Sequence, residues 1–352
     1  MRFNNPFEIG WQLNALDAIM LSSTIFILVY SIRQYRNGRP TYLVLYLACL
    51  AYGLIMEFTT GMMISRSYIQ GEFAVMVQTK ELLGYPTDMP LYVVVAFYPV
   101  TIFLGFKLIE SFGIRSILAR ALSVGLIMVV TDAPYEVNGP QKGIDWWVWL
   151  DWRISGRALF QFFYGWPWSE AWWQLTWPGL MMFMVWHWEK RRSLNRSSGE
   201  GANDFDPAAI AAVKATPWKT LLITPLALGL LMNVLGILFS FPTGISIGLG
   251  IPHFVLGTAY LIAIAALFLY TKKDPIGLDR AGWTLLGIHV VGYTMVTLST
   301  FAFRPVPTGQ ITIAFVTLSA IVILAAYPGH VAHQRVRASH VPQPIQQLTE
   351  VP

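Results

Sequence analysis

The sequence predicts an all-α protein, a polytopic bundle of about nine transmembrane helices, and three observations carry that prediction. Of 352 residues, 55% are hydrophobic and only 12% are charged, about half the charged share of a soluble domain. The mean hydropathy is +0.52. The apolar residues also come in blocks of roughly 20, the length that crosses about 30 Å of hydrocarbon, with the basic residues gathered in short loops between them.

The spans are read at about 13–32, 41–64, 89–109, 115–131, 171–188, 219–241, 248–270, 281–302 and 309–327. Helical periodicity adds little, because a helix that faces lipid and protein is apolar all round. The loops test the count instead. With the N-terminus outside and the C-terminus cytoplasmic, the inner loops hold 17 of the 24 basic residues, from Arg33, Arg36 and Arg39 through Lys190, Arg191 and Arg192 to Arg335 and Arg337. Every inner loop then obeys the positive-inside rule. This distribution explains the net charge of +5 as topology, so no nucleic-acid partner is expected. A bacterial inner membrane is the expected location, with membrane lipid and a lipophilic small molecule as partners.

The chain divides into a five-helix part (1–192), a polar cytoplasmic linker (193–216), a four-helix part (217–330) and a disordered tail (331–352). The single cysteine, Cys49, excludes a disulfide framework, and no Cys/His spacing resembles a zinc site. No metal and no cofactor are expected. The first apolar block lacks a basic leader and a small-residue cleavage site, so it reads as a span, not a cleaved signal.

The segment between the fourth and fifth spans, 132–170, opens a tryptophan-rich stretch: eleven of the fourteen tryptophans lie between Trp146 and Trp188. Flat apolar rings with one polar N–H favour the headgroup boundary. An interfacial helix or re-entrant loop on the outer leaflet is one reading. A roof over a pocket for a long apolar substrate is the other, with Trp146, Trp147, Trp149, Tyr164, Trp166, Trp168 and Trp177 as its contacts. A weak internal repeat runs through the same region. Leu54-Ile55-Met56 recurs as Leu126-Ile127-Met128, and Tyr98-Pro99 recurs as Trp177-Pro178, which fits two parallel helix–loop–helix units.

An ionisable group inside a span is costly and therefore a functional candidate. Asp17, Glu57 and Asp132 come from three different helices yet reach a similar depth, towards the outer side. Convergence at one depth says more than any single acid. Asp17 reads equally as a helix-to-helix hydrogen bond. Glu57 has no i±4 basic partner, and Asp132 with Glu136 would be a like-charged i,i+4 pair if helical. Pro134 therefore suggests that the helix ends near Asp132. His289 and His253 read first as packing and capping residues. Burial favours the neutral form of a carboxyl, leaving it able to act as a general acid. In an aromatic pocket it could protonate an alkene or enol ether, with ring faces stabilising the cation. Glu57 and Asp132 are the expected acid/base pair, with Asp17 or Glu136 assisting.

The stretch 54–187 resembles the carotenoid-biosynthesis membrane proteins of the lycopene 1',2'-hydratase and bisanhydrobacterioruberin hydratase type, at Glu57, the Gly84-to-Pro90 stretch, Asp132, Gly143 with Trp146-Trp147-Val148-Trp149, and Tyr164-Gly165-Trp166-Pro167. It departs from them in a longer tryptophan-rich insert and at Trp168-Ser169-Glu170. Asp132-Ala133-Pro134-Tyr135-Glu136 and Trp166-Pro167-Trp168-Ser169-Glu170 are similar to spirocyclase-like membrane proteins of polyketide pathways. Both resemblances imply metal-free acid catalysis on a lipophilic substrate, by hydration or cyclisation. A transporter, or a non-catalytic lipid-binding subunit, are the alternatives.

Overall fold

The computed structural model describes residues 1–58, 68–83, 88–141, 145–150, 153–154, 156–158, 161–163, 165–197, 217–303 and 308–339. Eleven helices run through them in chain order: α1 (Trp11–Arg36), α2 (Thr41–Ile55), α3 (Thr79–Leu83), α4 (Leu91–Val95), α5 (Phe97–Ser111), α6 (Ile117–Asn138), α7 (Trp168–Ser197), α8 (Thr224–Leu249), α9 (His253–Tyr270), α10 (Arg280–Phe303) and α11 (Thr308–Ser339). Among the described residues, seven helices are long and apolar enough to cross a membrane: α1, α2, α6, α8, α9, α10 and α11. The chain is a multi-pass membrane protein.

The two other expected spans are helical but differ in kind. Residues 89–109 contain α4 and α5, separated by a break at Ala96 (φ −124°, ψ −44°). Pro99 explains it: a proline lacks the N–H and its ring collides with the carbonyl four residues back, here that of Val95. The other is α7, a continuous 30-residue helix carrying Pro178.

Two sequence readings of helix ends are corrected. Pro134 does not end α6, which continues to Asn138. Buried packing on all sides holds the chain helical past the missing hydrogen bond. Asp132 and Glu136 thus lie one turn apart on one face. Likewise α7 runs to Ser197 and α11 to Ser339, so the linker read from 193 and the tail read from 331 both begin as helix. Residues 198–216 and 340–352 lie outside the described residues.

Close backbone approach sets the central packing. A Cβ on Gly125 would fall 1.8 Å from the Leu175 carbonyl oxygen, and one on Gly179 would fall 2.6 Å from that of Ala121. Small residues let α6 and α7 touch backbone to backbone, antiparallel, as membrane helices do. This register sets Asp132 and Glu136 opposite the first turn of α7. Gly229 plays the same part between α8 and α2, where Asn233 Nδ2 donates to the Tyr52 carbonyl at 3.3 Å. In α2 and α6, 61% of the apolar window is buried, against 22% in α9 and 28% in α8 and α11. The first half is the core, and the second half presents apolar surface to lipid.

Among the described residues, nine short strands cap the end of the bundle where α1 begins. β1 (Arg2–Phe3), β3 (Val75–Val77) and β4 (Met89–Pro90) form one sheet in the order β1-β3-β4. β2 (Tyr68–Gln70) pairs antiparallel with β5 (Trp147–Trp149), placing Gln70 opposite Trp147 and Tyr68 opposite Trp149. β6 (Arg153–Ile154) pairs with β7 (Arg157–Ala158), and β8 (Phe162–Phe163) with β9 (Trp166–Pro167). Where it is described between α6 and α7, the tryptophan-rich segment contains strands and no interfacial helix. It is a set of β pairings across the bundle mouth, and β2–β5 joins the caps of the two proposed repeat units.

Candidate functional site

Glu57 sits in a π-helical turn, residues 56–58, that continues α2. Such turns widen the helix by one residue and recur at functional sites. The Glu57 side chain is 4% exposed, and its Oε1 accepts from Tyr98 Oη at 2.7 Å. Tyr98 is itself placed by the α4–α5 break, which directs the first turn of α5 inward.

A second acidic group shares a cavity with Glu57 through Glu136 and Glu170. Asp132 and Glu136 on α6 and Glu170 on α7 each offer one oxygen, and these oxygens lie within 4.8 Å of one another. Glu170 is held on both sides: Trp166 Nε1 donates to Oε2 at 2.8 Å and Gln174 Nε2 to Oε1 at 3.0 Å. Asp132 and Glu136 are 1% and 3% exposed, yet both Asp132 oxygens and Glu136 Oε2 lack a hydrogen-bond partner among the described residues. Gln174 is the polar neighbour of Asp132. Among the described residues no Lys, Arg or His forms an ion pair with any of the three. The donor set is all carboxylate oxygen, which suits a hard divalent cation.

Two adjoining cavities connect these groups. One, of about 70 Å³, is lined by Glu57, Gln70, Tyr98, Tyr135, Glu136, Trp147, Trp149 and Glu170 among others. The second, of about 50 Å³, is lined by Tyr52, Met56, Tyr98, Glu170, Trp173, Gln174 and Trp177 among others. They share Phe97, Tyr98 and Glu170. Tyr98 and Trp177, the matching positions of the internal repeat, both line the second cavity. Tyr135 packs on Trp147 at 4.5 Å between centroids, and its hydroxyl lies 3.2 Å from that of Tyr92. Behind the site, Asn138 Nδ2 donates to Thr297 Oγ1 at 2.8 Å, tying α6 to α10.

The residues expected from sequence divide accordingly. Glu57, Glu136, Trp147, Trp149 and Trp177 line the cavities, Asp132 joins Glu136 in the trio, and Trp166 orients Glu170. Three of the expected residues line neither cavity. Asp17 accepts from the Ala74 N–H at 3.2 Å and lines neither cavity, because the β2–β3 connection folds down onto α1 and claims it. Trp146 is fully buried and donates to the Gln12 carbonyl at 3.2 Å, an anchor of the cap to α1. Trp168 packs on Phe163 and against Gly257, away from both cavities. Tyr164 lies outside the described residues. Glu170 is the acid that sequence reasoning left out of its site. Its signal was present, an acid in the first turn of a tryptophan-rich helix.

No family model matches the chain, and no curated protein or solved structure matches it either.

Proposed function

We propose that this is an integral membrane enzyme that hydrates or cyclises a lipophilic, isoprenoid- or polyketide-like substrate by carboxylate acid–base chemistry. One observation carries the reading: Glu57, Glu136 and Glu170 line a single cavity together with Tyr98, Tyr135, Trp147 and Trp149. In the proposed reaction the neutral Glu57 carboxyl gives its proton to one carbon of an alkene or enol ether. The adjacent carbon becomes cationic, and the Tyr and Trp ring faces stabilise it. Water, or a hydroxyl of the substrate itself, adds to that carbon and loses a proton to the carboxylates on the same cavity, from which the proton returns to Glu57 through cavity water and restores the starting acid. The net change is addition of O–H across C=C, with hydration and ring closure differing only in which oxygen adds. Tyr98, donating to Glu57, fixes the carboxyl and returns it to place after each transfer.

The distribution of basic residues supports nine spans with the N-terminus outside, which puts this site at the outer leaflet in reach of membrane-dissolved substrate. The α4–α5 break is the observation that favours a transporter as second reading, since transporters build sites at broken helices. The two readings separate in one experiment. Lipid extracts of cells with and without the chain are compared by mass spectrometry, alongside cells carrying Glu57→Gln at matched membrane levels. An enzyme yields a species heavier by one water, or an isomer, that Glu57→Gln does not make. Redistribution of an unchanged compound across the membrane would favour transport.

A further inference from the structure

We propose that Asp132, Glu136 and Glu170 form a binding site for one divalent cation of the oxygen-preferring kind, with Mg²⁺, Mn²⁺ and Ca²⁺ as its class. The first observation is spacing. A cation of this class binds oxygens at about 2.0–2.6 Å, which leaves its ligand oxygens about 3–5 Å apart. The three carboxylates already offer oxygens within 4.8 Å of one another.

The second observation is what these oxygens lack. Asp132 is 1% exposed with Gln174 beside it but no hydrogen bond within 3.5 Å to either oxygen, and Glu136 is 3% exposed with Oε2 unpartnered, among the described residues. Elsewhere, the partly exposed Glu110 accepts from Lys107 and Tyr42, and the buried Asp17 accepts from the Ala74 N–H through one oxygen while its other oxygen has no partner among the described residues; within the trio, Glu170 accepts from Trp166 and Gln174. At the trio the compensating positive charge does not come from this chain's described side chains. A bare anion at such a position is costly unless it is paired or coordinates a metal.

The third observation lies in the cavity that two of the trio line. Trp147 Nε1, on a residue 3% exposed, has no acceptor among the described residues and lines the cavity that Glu136 and Glu170 also line. An N–H there fits an oxygen ligand, the water or substrate oxygen that a three-carboxylate site leaves room for. With neither His nor Cys in the set, softer metals are disfavoured. A cation here would supply a polarised water on the cavity side facing Glu57. The inference rests on the geometry of the trio and needs no turnover to test.

The experiment uses the full chain purified in detergent and stripped with EDTA, titrated with Mn²⁺ and followed by electron paramagnetic resonance. One bound Mn²⁺ per chain is expected, displaced by Mg²⁺ or Ca²⁺ and weakened at least tenfold in Asp132→Asn and in Glu136→Gln. Asp17→Asn, a buried acid outside the trio, should bind as the parent does. Elution profile and tryptophan fluorescence check that each variant is folded. If a trio variant fails to fold, quenching of the parent's tryptophan fluorescence by Mn²⁺ but not Mg²⁺ gives the second readout, since Trp166 contacts a ligand carboxylate. A folded parent that binds no Mn²⁺ at millimolar concentration overturns the proposal, as does binding that survives unchanged in both trio variants. Either failure leaves the catalytic reading of Glu57 to be judged on its own product analysis.

Discussion

The two ends of the helix bundle treat buried charge in opposite ways. At the end where α1 finishes, Lys107 is 4% exposed and pairs with Glu110 at 2.6 Å and Asp279 at 3.0 Å. Tyr42 donates to Glu110 at 2.8 Å and Tyr30 to Asp279 at 3.2 Å, while Arg115 pairs with Asp274 at 2.6 Å. These contacts join α1, α2 and α5 to the connection before α10, so they lock the two halves of the chain together. At the other end, three carboxylates crowd within 4.8 Å with no ion pair among the described residues. Charge that is closed on itself stabilises a fold. Charge left open at similar depth marks the place where something else binds or reacts.

Breaking each end should therefore have different consequences. The largest effect is on activity: Glu57→Gln keeps the side-chain shape but cannot deliver a proton. Product formation should fall by roughly 10²–10⁴-fold, the usual loss of a general acid, with unchanged yield of folded protein. Product profiling at matched membrane levels checks it. The next is on stability. Glu110→Gln combined with Asp279→Asn strips Lys107 of its partners, and breaking a buried pair costs about 3 kcal/mol or more. The partial exposure of both carboxylates brings the expected loss to about 1–3 kcal/mol, read as a lower melting temperature in detergent.

A pH dependence sharpens the same end. Burial alone would raise the Asp279 carboxyl, but Lys107 and the Gly282 N–H hold it below the ordinary carboxylate value. A group so depressed stabilises the folded state above its unfolded pKa and loses that contribution as pH falls through the folded one. The latch should be complete at neutral pH and weaken below about pH 4. Melting curves across that range, compared with the Asp279→Asn protein, measure it. The smallest expected effect is at Asp17. Asp17→Asn retains an acceptor for the Ala74 N–H, so activity and metal binding should change by less than twofold.

Much of the fold was legible because the bilayer imposes length and composition on each span. Seven helices coincide with expected stretches, and α1, α2 and α6 bring Asp17, Glu57 and Asp132 to one end as their depths implied. What was not legible depended on contacts between distant segments. Pro134 reads as a stop signal because local chemistry makes it one, yet tertiary packing carries α6 four residues further. The strand pairing of Tyr68–Gln70 with Trp147–Trp149 links residues almost eighty positions apart and leaves little trace in either segment. Asp17 and Glu57 look alike in sequence. Only the descent of Ala74 onto α1, where its N–H meets one Asp17 oxygen, tells that acid from the one on the cavity. Glu170 escaped attention because an acid in the first turn of a helix has an ordinary explanation in the helix dipole.

The contrast between the ends can be measured without knowing the substrate. Thermal unfolding of the EDTA-stripped chain is compared with that of Asp132→Asn/Glu136→Gln and of Glu110→Gln/Asp279→Asn under identical conditions. If the acidic trio is held open for function, neutralising it removes buried like charges, and the melting temperature should stay level or rise. The basic-end variant should melt lower. Equal destabilisation by both, or a larger loss at the trio, would mean that the carboxylates of α6 belong to the scaffold, and the account of a working site at that end would be wrong.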